Sequence, residues 1–363
     1  MTGKKIALVN SSKKVSGAEE YLLDIADSIV SHGYSPSFYA WSGGVLEERA
    51  RSRNVPCYSV FSANPLRIPF AIAGALRDDQ PDIILIGRDH NIYPVVAGYL
   101  LARPFLRKKP TIVAALHTPT GRSYPLAVNF LDGVIATSEY TGSTFYNANS
   151  GWEERAATIY CGIRLPPLQI DKENPDRQRR VLKGRSFPVI GMVGELWKNQ
   201  TELIDAGALL VRSIPDITIA IVGGGEDGDL REKISRFGLE RNFVLTGRIP
   251  REQIPDLFFD LDLSVSTHRN EGFGIVHIES LAASTPVIAY NSGGLTEIIR
   301  KGGGMLVDGG IEQFTNAISS LLADRGARLE LGREGRTVVE NHFTLEVMTR
   351  NHVDFFQKLG GRA

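Results

Sequence analysis

The sequence predicts an α/β protein made of two doubly wound parallel sheets, and three observations carry that prediction. Short β-branched runs alternate with amphipathic helical segments almost from end to end. The runs are near-continuously apolar rather than alternating, as strands covered by helices on both faces must be. The rhythm lapses once, in a proline-rich, charged stretch at 164–187, and then restarts. A chain of 363 residues also exceeds what one ordinary core holds, so two domains are expected.

In chain order, "KIALVN" reads as a buried strand. "GAEEYLLDIADSIVSHG" follows as a helix with Leu22, Ile25, Ala26 and Ile29 on one face and Gly33 as its stop. "SPSFYAW", "DIILIG", "TIVAALH", "GVIATS" and "ATIYCGI" continue the first set of strands. After the lapse come "PVIGMVG", "ITIAIVG", "NFVLTG", "LSVSTH", "PVIAY" and "GGMLV", with a helical segment between each pair. The final "TLEVMTRNHVDFFQKLGG" is amphipathic. The expected organisation is a first domain at 1–165, a linker at 166–187 and a second domain at 188–345. A terminal helix at 346–363 is expected to pack back on the first domain. Ligands of open α/β sheets bind at the carboxyl ends of the strands, so a cleft between two such domains is the expected site.

Composition excludes several classes. Lysine plus arginine equals aspartate plus glutamate, 41 each, so no net field recommends nucleic acid. Local basic runs at 102–110 and 177–185 read as solvated loop charge, with peripheral membrane contact as the rival reading. Two cysteines, Cys57 and Cys161, lie far apart without metal-type spacing. No segment has the ~18–20 apolar residues of a spanning helix, and the N-terminal apolar run is too short for a signal peptide. A cytoplasmic protein is expected.

Two motifs are decoys. "GGGEDG" at 223–228 matches G-x-G-x-x-G between a strand and a helix, but the next strand ends in Gly247 and Arg248 rather than an acidic residue. That disfavours NAD and leaves NADP as a minor alternative. Asp260-Leu261-Asp262 spells D-x-D, yet falls where a helix hands over to a strand with no clustered partner, so it is rejected as a metal site.

The remaining stretch, "HRNEGFGIVHIES" at 268–280, places Glu271 in the loop after a strand and Glu279 on the helix that follows. The amides of Phe273, Gly274 and Ile275 then lie at a helix N-terminus, where free N–H groups and the dipole stabilise a diphosphate. The plainer alternative is a capping glutamate and a solvated one.

The context resembles the retaining glycosyltransferases of family 4. "EGFGIVHIESLAASTPVIAYNSGGLTEII" is similar to that family's E-x7-E segment nearly throughout, including Pro286, the Gly293-Gly294 turn and Glu297. "AIVGGGEDGDL", "FVLTGRI", "VSGAEEYLLDIADSIVSHGY", "LHTP", "ATSEYT" and "IYCGI" extend the resemblance over most of the chain. It implies the GT-B fold of two facing Rossmann-like domains and a metal-independent transfer from a nucleoside-diphosphate sugar, with no other cofactor. The acceptor would be a saccharide, a lipid-linked or a small molecule. Residue by residue, it implies that Glu271 contacts the transferred sugar and Glu279 holds the ribose. The amides from Phe273 to Ile275 and Lys198 would carry the diphosphate. Gly17 would let the first loop approach the phosphate or acceptor, His117 would bond the sugar, and Arg248 and Ile249 would lie near the base. His268 and His277 are read as structural.

One departure stands out. The family usually has an arginine shortly before the lysine, where this chain has Glu195 in "VGELWKNQ". Either the grip on the donor is weaker, or Arg248 or Arg269 substitutes. The alternatives to a transferase are an NADP oxidoreductase, a sugar-nucleotide epimerase and a non-catalytic nucleotide-sugar-binding protein.

Overall fold

The computed structural model describes residues 3–14, 17–167, 174, 177–185 and 187–361. The chain divides into two compact units, one of Met1–Gly162 with Leu345–Ala363, the other of Ile163–Thr344.

The first unit runs β1 (Lys4–Val9), α1 (Gly17–Ile29), β2 (Tyr34–Trp41), α2 (Val45–Ser52), β3 (Cys57–Phe61) and α3 (Ile68–Asp79). It continues through β4 (Ile83–Ile86), α4 (Ile92–Ala102), β5 (Thr111–Leu116), β6 (Gly133–Ala136), α5 (Glu139–Ala148) and β7 (Ala156–Thr158). The sheet order is β3-β2-β1-β4-β5-β6-β7, all parallel. Ile6, Ala7, Leu8 and Val9 of β1 are wholly buried, as helices on both faces require. Leu22, Ile25, Ala26 and Ile29 form the buried face of α1, and Gly33, at φ +82°, closes the 3-10 turn Val30–His32 that follows it. Strand β3 was not expected from sequence. It is an edge strand with only Val60 and Phe61 buried, so it lacks the continuous apolar run that marks the others.

The second unit runs β8 (Val189–Val193), α6 (Gln200–Ser213), β9 (Thr218–Val222), α7 (Gly228–Arg236), β10 (Phe243–Gly247), α8 (Ile254–Asp260) and β11 (Leu263–Ser266). Then come α9 (Ile275–Ala282), β12 (Val287–Tyr290), α10 (Leu295–Ile299), β13 (Gly304–Val307), α11 (Ile311–Ala323) and α12 (Arg325–His342). Its parallel order is β10-β9-β8-β11-β12-β13. The chain winds outward from β8 to β10 and returns to β11 on the other side, so the switch point lies between β8 and β11.

The last helix, α13 (Leu345–Gly360), belongs with the first unit. It lies so close to β6 that a Cβ on Gly133 would sit 2.7 Å from Leu359 Cδ1 and 2.9 Å from the Phe355 ring. Its His352 donates from Nδ1 to the Met348 carbonyl (2.7 Å) and takes the Tyr21 hydroxyl at Nε2. Burial holds the His352 ring neutral, with its pKa lowered to about 4, and pushes the Tyr21 phenol well above its ordinary value.

Part of the stretch at 166–187 falls outside the described residues, but 177–182 are bound into the second unit. Asp260 accepts from the amides of Arg180 (2.8 Å), Val181 (2.6 Å) and Leu182 (2.8 Å). Asp262 accepts from Arg177 (2.7 Å), Arg179 (2.8 Å) and the Val189 amide (2.8 Å). The D-x-D pair is thus a fastening for this segment, its oxygens taken by N–H groups.

Candidate functional site

The loops that leave β8 and β11 flank the switch point of the second unit, and each supplies one charged group. Lys198 closes the first loop, where Asn199 adopts φ +65° before α6. Asn199 joins the loops, because its carbonyl accepts from Thr267 Oγ1 (2.7 Å) and its Nδ2 donates to the Thr267 carbonyl (3.2 Å). Across this junction Lys198 Nζ donates to Glu271 Oε2 at 2.6 Å, with both side chains mostly buried. Burial raises the Glu271 carboxyl pKa, but the Lys198 charge and hydrogen bond, helped by His277 and His268, outweigh it and leave the pKa below the usual carboxylate value.

The backbone around Glu271 is shaped by glycines. Gly274 caps α9 at φ +90°, and a Cβ there would lie 2.6 Å from His277 Cδ2 and 3.0 Å from Glu271 Cγ. Gly293, at φ +71°, passes so near that a Cβ would meet the Glu271 carbonyl at 2.8 Å, and the Gly294 amide donates to that carbonyl (2.8 Å). The N-cap residue of α9 is Gly274, which has no side chain to cap the helix. Phe273 turns its ring inward onto Phe343, 5.7 Å between centroids, so only its backbone faces the loop.

Several participants were not evident in sequence. Arg251, just before α8, forms an ion pair with the buried Glu279. Arg269 is held by both oxygens of Glu202 (2.6 and 2.9 Å) and stacks 3.7 Å from the Tyr290 ring, whose hydroxyl also donates to Glu202 (2.6 Å). This clamp fixes the residue two before Glu271. His277 is buried, its pKa lowered to about 4 by desolvation, and among the described residues its Nδ1 has no hydrogen-bond partner. Its ring packs on Gly274, as a structural histidine does, and shares the field of Glu271. His268 stands edge-on to Trp197 at 5.5 Å.

The glutamate at 195 is also resolved. Its carboxylate pairs with Arg248 (2.5 Å), not with Lys198, and only its carbonyl meets the Lys198 amide (3.1 Å). Neither arginine offered as a substitute for the missing family arginine is unengaged: Arg248 is paired with Glu195, and Arg269 with Glu202. Ile249 packs on the apolar cluster of Leu257 and Phe258. The glycine-rich turn is explained by close packing on the β8 loop. A Cβ on Gly223 would lie 1.8 Å from the Gly194 carbonyl, and one on Gly224 2.3 Å from Arg248 Nε.

His117 and Gly17 belong to the first unit. Gly17 is the first residue of α1. His117 follows β5 and meets the Tyr21 ring edge-on at 4.5 Å. Desolvation, with Arg88 and His352 adding to it, lowers its pKa to about 4, and its buried Nε2 has no partner among the described residues. Among the described residues, no group of three or more His, Cys, Asp or Glu is arranged to hold a metal.

The chain matches known families along most of its length. The model described as "Glycosyl transferases group 1" covers residues 174–338, and that for "Glycosyltransferase Family 4" covers 15–165. The GDP-mannose-dependent alpha-(1-6)-phosphatidylinositol monomannoside mannosyltransferase of Mycolicibacterium smegmatis is 33% identical over 226 residues, 57% of either chain. The 2-deoxystreptamine glucosyltransferase of Streptomyces kanamyceticus is 30% identical over 301 residues, 72% of this chain and 73% of that one. With the mannosyltransferase, the match spans little more than half of that relative's length. The crystal structure of Anabaena HepE in complex with UDP and glucose matches with a TM-score of 0.81 at 23% identity, over 98% of this chain and 100% of that one. A glycosyltransferase from Rickettsia africae matches with a TM-score of 0.82 at 20% identity, over all of both chains. At such identities the likeness establishes the fold, which is GT-B.

Proposed function

The chain belongs to glycosyltransferase family 4, and from that premise we propose that it transfers a sugar from a nucleoside diphosphate to an acceptor hydroxyl with retention of configuration. The observation that carries this reading is the Lys198–Glu271 pair beside the glycine-capped N-terminus of α9. The diphosphate lies on the amides from Phe273 to Ile275, and Lys198 shares its ammonium between Glu271 and the phosphate. Charge on that phosphate grows as the glycosidic bond breaks, so a fixed ammonium stabilises the transition state more than the ground state. These groups stand in for a divalent cation, and the reading requires none.

Glu279 accepts from the ribose hydroxyls, with Arg251 holding its carboxylate in place. The lowered pKa of Glu271 keeps it anionic at neutral pH. It therefore serves as an acceptor for sugar hydroxyls and as countercharge to an oxocarbenium-like centre, not as a proton donor. Retention follows if the acceptor oxygen attacks from the face the phosphate leaves, its proton passing to the departing phosphate oxygen. His117, neutral above about pH 4, offers its Nε2 as a hydrogen-bond partner. A cytoplasmic site of action fits the two free cysteines, and among the described residues no helix is long and apolar enough to cross a membrane.

The test is a melting-temperature panel with UDP, GDP, ADP, dTDP and NADP, followed by turnover with the matching sugar nucleotide. The solved neighbour carries UDP, and a relative's name specifies GDP-mannose, so these head the panel. One diphosphate at a hundred times its Kd should stabilise the wild type by ~2.7 kcal/mol and Glu279→Ala far less. Glu271→Ala should lower turnover by ~10²–10³ with nucleotide affinity nearly unchanged. Stabilisation by NADP alone, or near-wild-type turnover in Glu271→Ala, overturns the proposal.

A further inference from the structure

The first unit carries an outer helical face of unusual composition. Helix α4 reads IYPVVAGYLLA, with no charged residue at all, although one side of it faces solvent. A surface helix ordinarily keeps a polar outer stripe. Here the outward positions are Tyr93, Leu100 and Leu101, followed by Phe105 in the turn beyond. Helix α3 lies against α4, since a Cβ on Gly98 would strike Ile72 Cγ2 at 2.5 Å, and it presents Phe70, with Leu66 just ahead of it. These six side chains are between 42% and 79% exposed, on two packed helices and the short turns adjoining them.

The same segments carry unpaired cations. Arg67, Arg77, Arg103 and Arg107 are neighbours of the exposed apolar residues in sequence, and Arg77 lies 4.5 Å over the Phe105 ring. Among the described residues none of these four arginines is ion-paired. Lys108 and Lys109 in the same run are paired, with Asp82 and Asp132, and Asp78 is the exposed carboxylate nearby. The four charged residues of the 102–110 run are thus exposed and only half neutralised.

We propose that this α3–α4 face docks on an anionic lipid surface, its apolar side chains entering the headgroup boundary and the unpaired arginines meeting lipid phosphates. Charge decides between occupants. A second copy of the same face would set like charges against like, whereas a polyanionic bilayer satisfies them. An apolar patch bordered by one sign of charge is what an interfacial anchor needs. The inference is independent of which acceptor the enzyme uses.

The experiment is vesicle flotation of the full-length chain with phosphatidylcholine alone and with about one-third phosphatidylglycerol, in low and high salt. Wild type should float with the anionic vesicles, lose that binding in high salt, and bind neutral vesicles weakly. Leu101→Glu with Phe105→Glu should reduce binding at least roughly tenfold, and Arg103→Ala with Arg107→Ala should reduce it several-fold and flatten the salt dependence. All four positions are exposed, so melting temperature and nucleotide binding should be unchanged. If the acidic pair unfolds the protein, Leu66→Ser with Phe70→Ser carries the same expectation. Wild type that stays unbound, equal binding to both vesicle types, or a solution dimer that Leu101→Glu dissociates would each overturn the inference.

Discussion

The two units share one topology and each ties its switch point with an ion pair, but the pairs are built differently. In the first unit the carboxylate is Glu19, wholly buried on α1, taking Asn10 Nδ2 (2.9 Å) and Arg88 Nε (2.8 Å) from the loops after β1 and β4. In the second, Glu271 and Lys198 both stand on the loops themselves and keep some exposure, 13% and 18%. A wholly buried carboxylate anchored in a helix fastens two loops together, although its partner Arg88 is itself 31% exposed, since separating the pair leaves an uncompensated buried charge. A pair at the loop ends can exchange partners with an anionic ligand. The same architecture therefore yields a lock in one half and, in the proposed function, the donor site in the other.

Four outcomes would break or sharpen that contrast. Gly274→Val should have the largest effect, because it forces a branched residue into φ +90° against His277 and Glu271. A loss of about 2–5 kcal/mol in the second unit, seen by denaturant titration, is expected together with loss of turnover.

Acid should come next. His117, His277 and His352 are held neutral by burial at about pKa 4 against an ordinary 6.5. Because the folded pKa is the lower one, the stability is complete above pH 6.5 and falls as pH drops towards 4. Each ring should cost up to about 2 kcal/mol between pH 7 and pH 5, and two of the three lie in the first unit. Melting followed by Tyr and Trp fluorescence should show the first unit more acid-sensitive; the reverse order would contradict these environments.

Tyr21→Phe is expected to be smaller. It strands the buried Nε2 of His352 and should cost about 1–3 kcal/mol in urea titration, with nucleotide binding to the second unit unchanged. Smallest of all, Glu195→Gln removes a half-exposed pair with Arg248 and should change stability by less than about 1 kcal/mol. A large gain in nucleotide affinity in that variant would show instead that Glu195 opposes the diphosphate.

Much of this was legible in the sequence, and the exceptions are instructive. The strands of both sheets were readable because a parallel sheet buried on both faces demands apolar runs; β3 escaped because an edge strand does not. Glu271, Glu279 and Lys198 could be singled out by spacing and resemblance, and Gly274 and Gly293 now have a steric reason for being glycine. Arg251, Glu202 and Tyr290 carried no local signal, since a salt-bridge partner 67 residues away leaves no mark on periodicity.

The sequence by itself determined the class of fold, the repeat of that fold, and the segment where a diphosphate would meet a helix N-terminus. Those depend on local patterning, which the chain states residue by residue. Tertiary structure alone decided which charges pair. It set Arg248 on Glu195, Arg251 on Glu279 and Tyr21 on His352, the last across 331 residues. It alone also decided that Tyr93, Leu100 and Leu101 of α4 face outward while the rest of that helix is buried or half-buried, because exposure depends on what else the fold lays over a helix.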